Sequence, residues 1–221
     1  MAFRCAALAL FIMSVGGPAL ACEPEVEVLG GDIVVHQCSG PDKQITRGGV
    51  YADPVLSPDD RSIAYIKVEH QGTDSYGDSR TSLWIADMAS GASRQLLASQ
   101  PADEMTTTLA AMWEPEFSLD GGFIYVESEA WVTSPAIHQV NVKTGTHRFV
   151  TSGALWQVVR TGKYRGYLLV QKHEYHPAPD YGSFNPVYIV RPDGKWSKLV
   201  PGSDKDDGEN SVDAWLAKNA R

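Results

Sequence analysis

The chain has 221 residues, enough for one domain of ordinary size with its own core. Its formal charge of −8 argues against nucleic acid or an anionic membrane surface as partner, since both require a basic face. Twenty glycines, 13 prolines, 9 tyrosines and 6 tryptophans, with few helix-forming runs, favour short strands joined by many turns.

Residues 1–21 read as a signal peptide. Arg4 supplies the positive start, Ala6 to Val15 a short apolar run, Gly16-Gly17-Pro18 a break, and Ala19-Leu20-Ala21 a small-residue cleavage site. The run is too short to span a bilayer, and no later segment of about 18 apolar residues exists. The mature chain is therefore expected to be exported and not membrane-spanning. Loss of Arg4 leaves 18 basic residues against 27 acidic, a net of −9. Cys22 directly follows the cleavage site, as the lipid-bearing cysteine of a bacterial lipoprotein does, so anchoring through Cys22 is the alternative. Ala19 and Leu20 stand in the reverse of the order that motif uses, which favours ordinary cleavage.

Cleavage also removes Cys5 and leaves Cys22 and Cys38, an even pair in an oxidising compartment. Between them Val26 to Leu29 and Asp32 to Val35 flank Gly30-Gly31, a hairpin signal. With Leu29 opposite Asp32, Cys38 faces Glu23, one residue from Cys22. A structural disulfide is expected, with a bulge or frayed end near Pro24.

Two related stretches follow. Pro54-Val-Leu-Ser-Pro-Asp-Asp-Arg-Ser-Ile-Ala-Tyr-Ile66 and Pro115-Glu-Phe-Ser-Leu-Asp-Gly-Gly-Phe-Ile-Tyr-Val126 both place Ser57 or Ser118 two residues before Asp59 or Asp120, ahead of an apolar strand. Ser and Asp suit that turn because their oxygens bond nearby backbone. A second element recurs four times, an alternating strand and a turn ending in Gly40, Gly91, Gly145 or Gly194, each leading to an apolar strand. Inner strands precede the last three, over Ile63 to Val68, Phe123 to Ser128 and Tyr167 to Gln171, the last introduced by a poor turn copy at Thr161-Gly162-Lys163. The unit is a four-stranded antiparallel meander repeating every ~45 to 60 residues.

The Ser57/Asp59 turn and its copy resemble the Ser-Pro-Asp-Gly repeat of TolB-type β-propellers, which are bacterial periplasmic proteins. The resemblance covers most of the mature chain, and the 54–66 copy is its specific part. It implies an all-β propeller-like array at 22–202. Three blades are full, at about 50–100, 112–152 and 154–202, with an amino-terminal partial blade at 24–47. The first blade, completed by Val26 to Leu29, would give a small four-bladed ring; the alternative is an open arc needing a partner or a second copy. TolB-type proteins have more blades and a separate amino-terminal α/β domain, and in this the blade count read here departs from the family. Residues 203–221 read as a polar linker and a short helix capped by Ser211, with Val212, Trp215 and Leu216 on one face.

Two insertions, 71–80 and 176–186, are rich in polar residues, Tyr and Pro and suit binding contacts on a rigid scaffold. Trp84, Trp113, Trp156 and Trp196 read as wedges between blades, whereas Trp131 falls at a turn. Trp131, Tyr76 and Tyr181 are the candidate partner contacts. His173-Glu174-Tyr175-His176 has the wrong spacing for a helical zinc motif, and in a strand His173 and His176 point to opposite faces. Asp204 to Glu209 matches only half a calcium loop. Propellers of this repeat type also precede the catalytic domain of prolyl-oligopeptidase-like enzymes. Here no Gly-x-Ser-x-Gly elbow occurs, Gly77-Asp78-Ser79 is followed by Arg80-Thr81, and no phosphate loop is present.

The resemblance therefore implies an exported, periplasmic, non-enzymatic protein, without cofactor, that binds a protein or peptide of the cell envelope. The alternatives are a metal-assisted hydrolase using His173, Glu174 and His176, and a structural envelope protein that pairs with a second copy as a homodimer.

Overall fold

The computed structural model describes residues 22–72, 79–179, 181–205 and 208–219; the expected signal peptide and Tyr76 lie outside them. The described chain folds into successive antiparallel sheets in sequence order. The first holds β1 (Glu25–Leu29), β2 (Asp32–His36) and β3 (Lys43–Gln44). The second holds β4 (Tyr51–Leu56), β5 (Ser62–His70), β6 (Arg80–Asp87) and β7 (Ser93–Leu97). The third holds β8 (Met112–Phe117), β9 (Phe123–Trp131), β10 (Ser134–Asn141) and β11 (His147–Ser152). In the fourth, β12 (Ala154–Val158) and β13 (Leu168–Gln171) are followed by a two-stranded flap, β14 (Glu174–Tyr175) and β15 (Ser183–Phe184). It is completed by β16 (Val187–Val190) and β17 (Ser197–Leu199), and the helix α1 (Gly208–Asn219) comes last. These are the expected blades: three of four strands and one partial.

The middle stretches of the inner strands are apolar on both faces because the interior sheets are covered on both sides. Ile63, Ala64, Tyr65 and Ile66 are each no more than 2% exposed. Ile63 and Tyr65 meet Ile33 and Val35 of the first blade, while Ala64 and Ile66 meet Phe117, Ile124 and Val140 of the third. Tyr125, Ile137 and Val150 then meet Leu155, Leu168 and Val170 of the fourth. Fully burying one such side chain contributes about 1.5–3 kcal/mol, so the seams between blades carry most of the stability.

The inner turns are built as the repeat implies. Ser57 Oγ donates to Asp59 Oδ1 at 2.7 Å and accepts from the Ser62 N–H at 3.0 Å. Ser118 Oγ does the same with Asp120 at 2.6 Å and the Phe123 N–H at 2.9 Å. The hydroxyls hold both Asp carboxyls below their ordinary range, aided by the N–H groups of Arg61 and Gly122.

At the outer rim, each blade is tied to the next by a cation three residues after the turn glycine of its last hairpin, Gly40, Gly91 or Gly145. Lys43 Nζ donates to the Met88 carbonyl at 2.6 Å, Arg94 Nη2 to the Val142 carbonyl, and Arg148 Nη2 to the Pro192 carbonyl at 2.7 Å. The second and third accepting turns come so close to the preceding blade that only glycine fits there. A Cβ on Gly145 would lie 2.6 Å from the Leu96 carbonyl oxygen, and one on Gly194 2.2 Å from that of Val150.

The arc has two finished ends, and among the described residues substantial contacts between sheets join successive ones only. Val26 to Leu29 do join the first sheet, with Leu29 opposite Asp32 as expected, but leave it one strand short of a full blade. Its outer face is mostly polar, with Glu25, Glu27, Asp32 and His36 beside Leu29 and Val34: His36 bonds Glu27 and pairs with Asp42 at 3.1 Å. Beyond the ladder's last pair, Glu25 opposite His36, the chain leaves the strand, and Cys22 bonds Cys38 with Cα atoms 5.6 Å apart. At the other end α1 lays Val212, Trp215 and Leu216 over Val159, Leu169, Val187 and Ile189. Tyr164 stacks on Trp215 at 5.3 Å. The Val200 carbonyl, in the place of Leu96 and Val150, accepts from Ser203 Oγ at 2.8 Å instead of facing another blade's glycine. Of the two arrangements open to the sequence, the chain takes the arc. Ser211 is not the helix cap: α1 begins at Gly208, because docking of Val212, 1% exposed, holds the preceding turn in helical form.

Candidate binding groove

The groove lies between the second and third blades and starts from two irregular inner strands. Ladders β4–β5 and β8–β9 each shift register at equivalent places, between Ala52 and Val55 and between Trp113 and Glu116. Within each bulge an acid takes a positive φ directly before a proline: Asp53 at 48° and Glu114 at 46°. Such a conformation costs of order 1–3 kcal/mol and survives where neighbours fix it. One fixing contact is the Glu114 N–H, which donates to Asp53 Oδ2 at 3.1 Å. The bulges set Asp53 and Trp113 at the side of an opening of about 530 Å³.

Ile66, Val68 and Met112 form its apolar floor, with Trp113 beside them, and Asp53, His70, Ser79 and Glu129 line its polar parts. Its far wall is the tip of the β9–β10 hairpin, where Trp131 pairs with Ser134. Trp131 is 38% exposed and Val132 78%, while the ring of Phe149 supports the Trp131 ring edge-on at 6.3 Å. The same tip bounds a second hollow of about 350 Å³, lined by Pro101, Met105 and Ala110. The tip is thus an apolar ridge between two depressions.

Trp113 is held from behind. Its indole N–H donates to Glu127 Oε2 at 2.9 Å, and Glu127 Oε1 accepts from the Leu155 N–H of the fourth blade. Glu127 is 2% exposed. Burial pushes its carboxyl up to about 7, nearby Glu114 adds to the rise, and the Leu155 and Trp113 N–H groups oppose it. A second carboxylate, Glu116, bonds Arg160 across the same seam at 2.9 Å. His138 on β10 is fully buried with both ring nitrogens lacking a hydrogen bond among the described residues, and burial lowers it to about 4, with His147 adding to the shift.

Of the expected contacts, Trp131 lines the groove. Tyr181 stands 79% exposed in the loop of the fourth blade and is not among the lining residues. Tyr76 lies outside the described residues. Trp84 packs between the first two blades as expected, Trp113 lines the groove, and Trp156 and Trp196 lie at the end of the arc rather than between blades, Trp156 in the cluster under α1 and Trp196 against Tyr164 and Tyr167. The 173–176 residues are separately engaged: His173 Nδ1 bonds Asn185 at 2.9 Å, His176 stacks on Phe184 at 4.3 Å, and Glu174 interacts with the Tyr188 hydroxyl. Among the described residues no group of three His, Cys, Asp or Glu is placed to hold a metal. Asp53 and Glu129 were not singled out by sequence, and Trp113, read there as a wedge between blades, lines the groove instead. The signal for Asp53 was present, since an acid-proline pair stands four residues before both Ser57 and Ser118.

No family model and no curated protein matches this chain. Solved structures do. TolB from Acinetobacter baumannii is 16% identical, with 76% of this chain and 37% of that one covered and a TM-score of 0.50. A putative TolB from Agrobacterium tumefaciens is 16% identical over 76% of this chain and 55% of its own, at 0.52. Dipeptidyl peptidase 4 from Porphyromonas gingivalis is 12% identical over 81% of this chain and 31% of its own, at 0.56. The chain therefore spans between 31% and 55% of the length of these structures. The likeness is one of fold: TolB-like β-propeller blades, shared by TolB structures and by the propeller-bearing peptidases.

Proposed function

We propose that this arc of TolB-like propeller blades is an exported, non-enzymatic binding protein that holds a protein or peptide partner of the cell envelope beside Trp131. The observation that carries the reading is the groove of about 530 Å³ walled by an exposed tryptophan and floored by Ile66, Val68 and Met112. Pockets of that size with a few convergent polar groups are where ligands bind, and an exposed Trp on rigid strands is a typical anchor. Export is supported by the leader pattern of residues 1–21 and by the Cys22–Cys38 bond, which suits an oxidising compartment. A catalytic role lacks support in the sequence, which holds no nucleophile elbow. The polar outer face of the first sheet and the helix over the fourth argue against closure of a ring by a second copy.

The test uses residues 22–221 and the same chain with Trp131→Ala as parallel baits in envelope extract. A partner recovered in stoichiometric amount by the first and lost from the second is the expected result. Identical recoveries would remove the groove from consideration. Recovery of the bait's own copies alone would favour self-association. Export is checked by the mature amino terminus, expected at Cys22 with an unmodified mass; a mass increase of a lipid anchor would establish the lipoprotein alternative.

A further inference from the structure

We infer that the open edge of β1 is a docking site for a short extended segment of another polypeptide, which adds to the first sheet as its fourth strand. The site is separate from the groove beside Trp131 and does not depend on it. Each full blade opens with a strand lying antiparallel to the next: β4 on β5, β8 on β9 and β12 on β13. The first sheet runs β1-β2-β3 and has no such strand, so β1 is an edge. An edge strand presents a row of main-chain donors and acceptors that another extended chain can pair with. On β1 the phase of that row is known. The hairpin closes on Leu29 opposite Asp32, and bonding alternates along the ladder from there. Ile33, opposite Val28, gives its carbonyl to the Ile45 N–H at 2.8 Å and its N–H to Thr46 Oγ1 at 2.8 Å, both on the β3 side. Val28, and by alternation Val26, therefore aim their N–H and C=O groups away from β2. Among the described residues, no backbone bond from elsewhere in the chain reaches them.

Burial on both sides of the edge tells the same story. On β5 the residues facing the next blade, Ala64 and Ile66, stand opposite Val55 and Ala52 of β4 and are buried. Val26 and Val28 hold the corresponding places on β1, yet Val28 is 39% exposed and its neighbour Leu29 50%. Across the seam, β8 packs on β4, β5 and β6 of the blade before it and buries Met112, Pro115 and Phe117. Strand β4 packs chiefly on β1 and β2, and all six of its residues stay half-buried. The three full blades therefore define the occupant: a strand antiparallel to β1, with small apolar side chains opposite Val26 and Val28, where β4 has Val55 and Ala52. Its length is bounded as well. Pro24, which has no N–H, lies at one end and the Gly30-Gly31 turn at the other, so the edge offers only the five residues of β1. A second copy fits poorly. Antiparallel pairing of two β1 strands through Val26 sets Glu27 opposite Glu27 or Glu25 of the other copy, and like charges directly opposite are unfavourable.

The experiment pans a displayed library of short random peptides against residues 22–221 and measures enriched sequences as synthetic peptides. Val28→Pro removes an outward N–H without touching a bond of the β1–β2 ladder, Val28→Thr keeps that N–H, and Trp131→Ala marks peptides that bind the groove instead. The expected result is a class of peptides with alternating small apolar residues that loses about tenfold or more in Val28→Pro and stays within about twofold in Val28→Thr. In their presence the Val26 and Val28 amides should gain protection from exchange. N-methylation of the peptide at alternate residues should abolish binding in one phase and spare it in the other. If Val28→Pro also loosens the hairpin, seen as a lower melting temperature, the N-methyl series and the amide protection decide. Peptides that bind Val28→Pro as well as the unaltered chain, or that accept N-methyl groups in both phases, would overturn the edge assignment. Enrichment only of peptides lost in Trp131→Ala and indifferent to Val28→Pro would overturn it and leave the groove standing. A library without binders would overturn it too, and a concentration-dependent dimer abolished by Val28→Pro would give the edge to a second copy.

Discussion

The two ends of the arc face the same problem and answer it differently. A terminal blade has one face with no neighbour, and an apolar face there would remain in water. At the amino end the answer is written into the strands: of the positions that would meet another blade, four hold Glu25, Glu27, Asp32 and His36, and only Leu29 and Val34 are apolar. At the carboxyl end the strands keep an interior blade's composition, with Leu169, Val187 and Ile189 on the outward face, and a separate helix covers them. The first solution costs nothing if it frays. The second makes the fourth blade depend on an element of twelve residues.

That difference orders the expected effects. Val212→Asp places an unpaired charge under the helix and should cost about 3–5 kcal/mol, releasing α1 and exposing the fourth blade to a hydrophobic dye while the first sheet's amides remain protected from exchange. Dye binding and amide protection unchanged from the native chain would show that the helix is not a cap. At the other end, Cys38→Ser opens a link of sequence separation 16 and should cost about 2–3 kcal/mol. Loss of protection is expected in β1 to β3 alone; loss in all blades would mean that the first sheet is no mere end piece.

The interior seam sets a third, pH-dependent effect against both ends. Glu127 lies at about 7, above its ordinary value, so its contribution is fully present below about pH 4.5 and is lost as pH rises through 7. His138 lies at about 4, below its ordinary value, so its contribution is present above about pH 6.5 and is lost as pH falls toward 4. Stability should accordingly fall less steeply between about pH 4.5 and 7 in Glu127→Gln. In His138→Leu stability should improve by about 1 kcal/mol at neutral pH, since two buried unbonded nitrogens are removed, and its decline between about pH 6.5 and 4 should flatten. A stability curve with unchanged shape in both variants would place these groups in contact with water. The smallest effect is at the exposed amino end. Glu27→Gln should leave the melting temperature nearly unchanged, while the His36 titration, raised first by Glu27 and then by Asp42, moves back toward the ordinary histidine value by NMR.

Much of the arc was legible because its signals are local. Ser57 with Asp59, Ser118 with Asp120 and the turn glycines each fix a few neighbouring residues, and Gly30-Gly31 fixed the first hairpin to its register. The groove was legible only at Trp131, which betrayed itself by standing in a turn. Its other parts come from β4, β5, β8 and β9, and nothing in their spacing reveals that Asp53 and Glu129 line one opening. Glu127 was hidden for a related reason. In Tyr125-Val126-Glu127-Ser128 it reads as an ordinary solvent-facing strand residue, and only the stacking of a fourth blade buries it. The start of α1 was misread because Ser211 has the chemistry of a cap, whereas tertiary docking of Val212 decides where the helix begins.

The rim ties carry a consequence for how such an arc can change over time. Lys43, Arg94 and Arg148 all donate to main-chain carbonyls, and the residues that supply them are Met88, Val142 and Pro192. Any amino acid offers that oxygen, so the accepting site can drift freely in sequence while the donor must stay basic. Neighbouring blades can therefore diverge without compensating substitutions across the seam, and pairwise covariation between donor and acceptor positions should be absent.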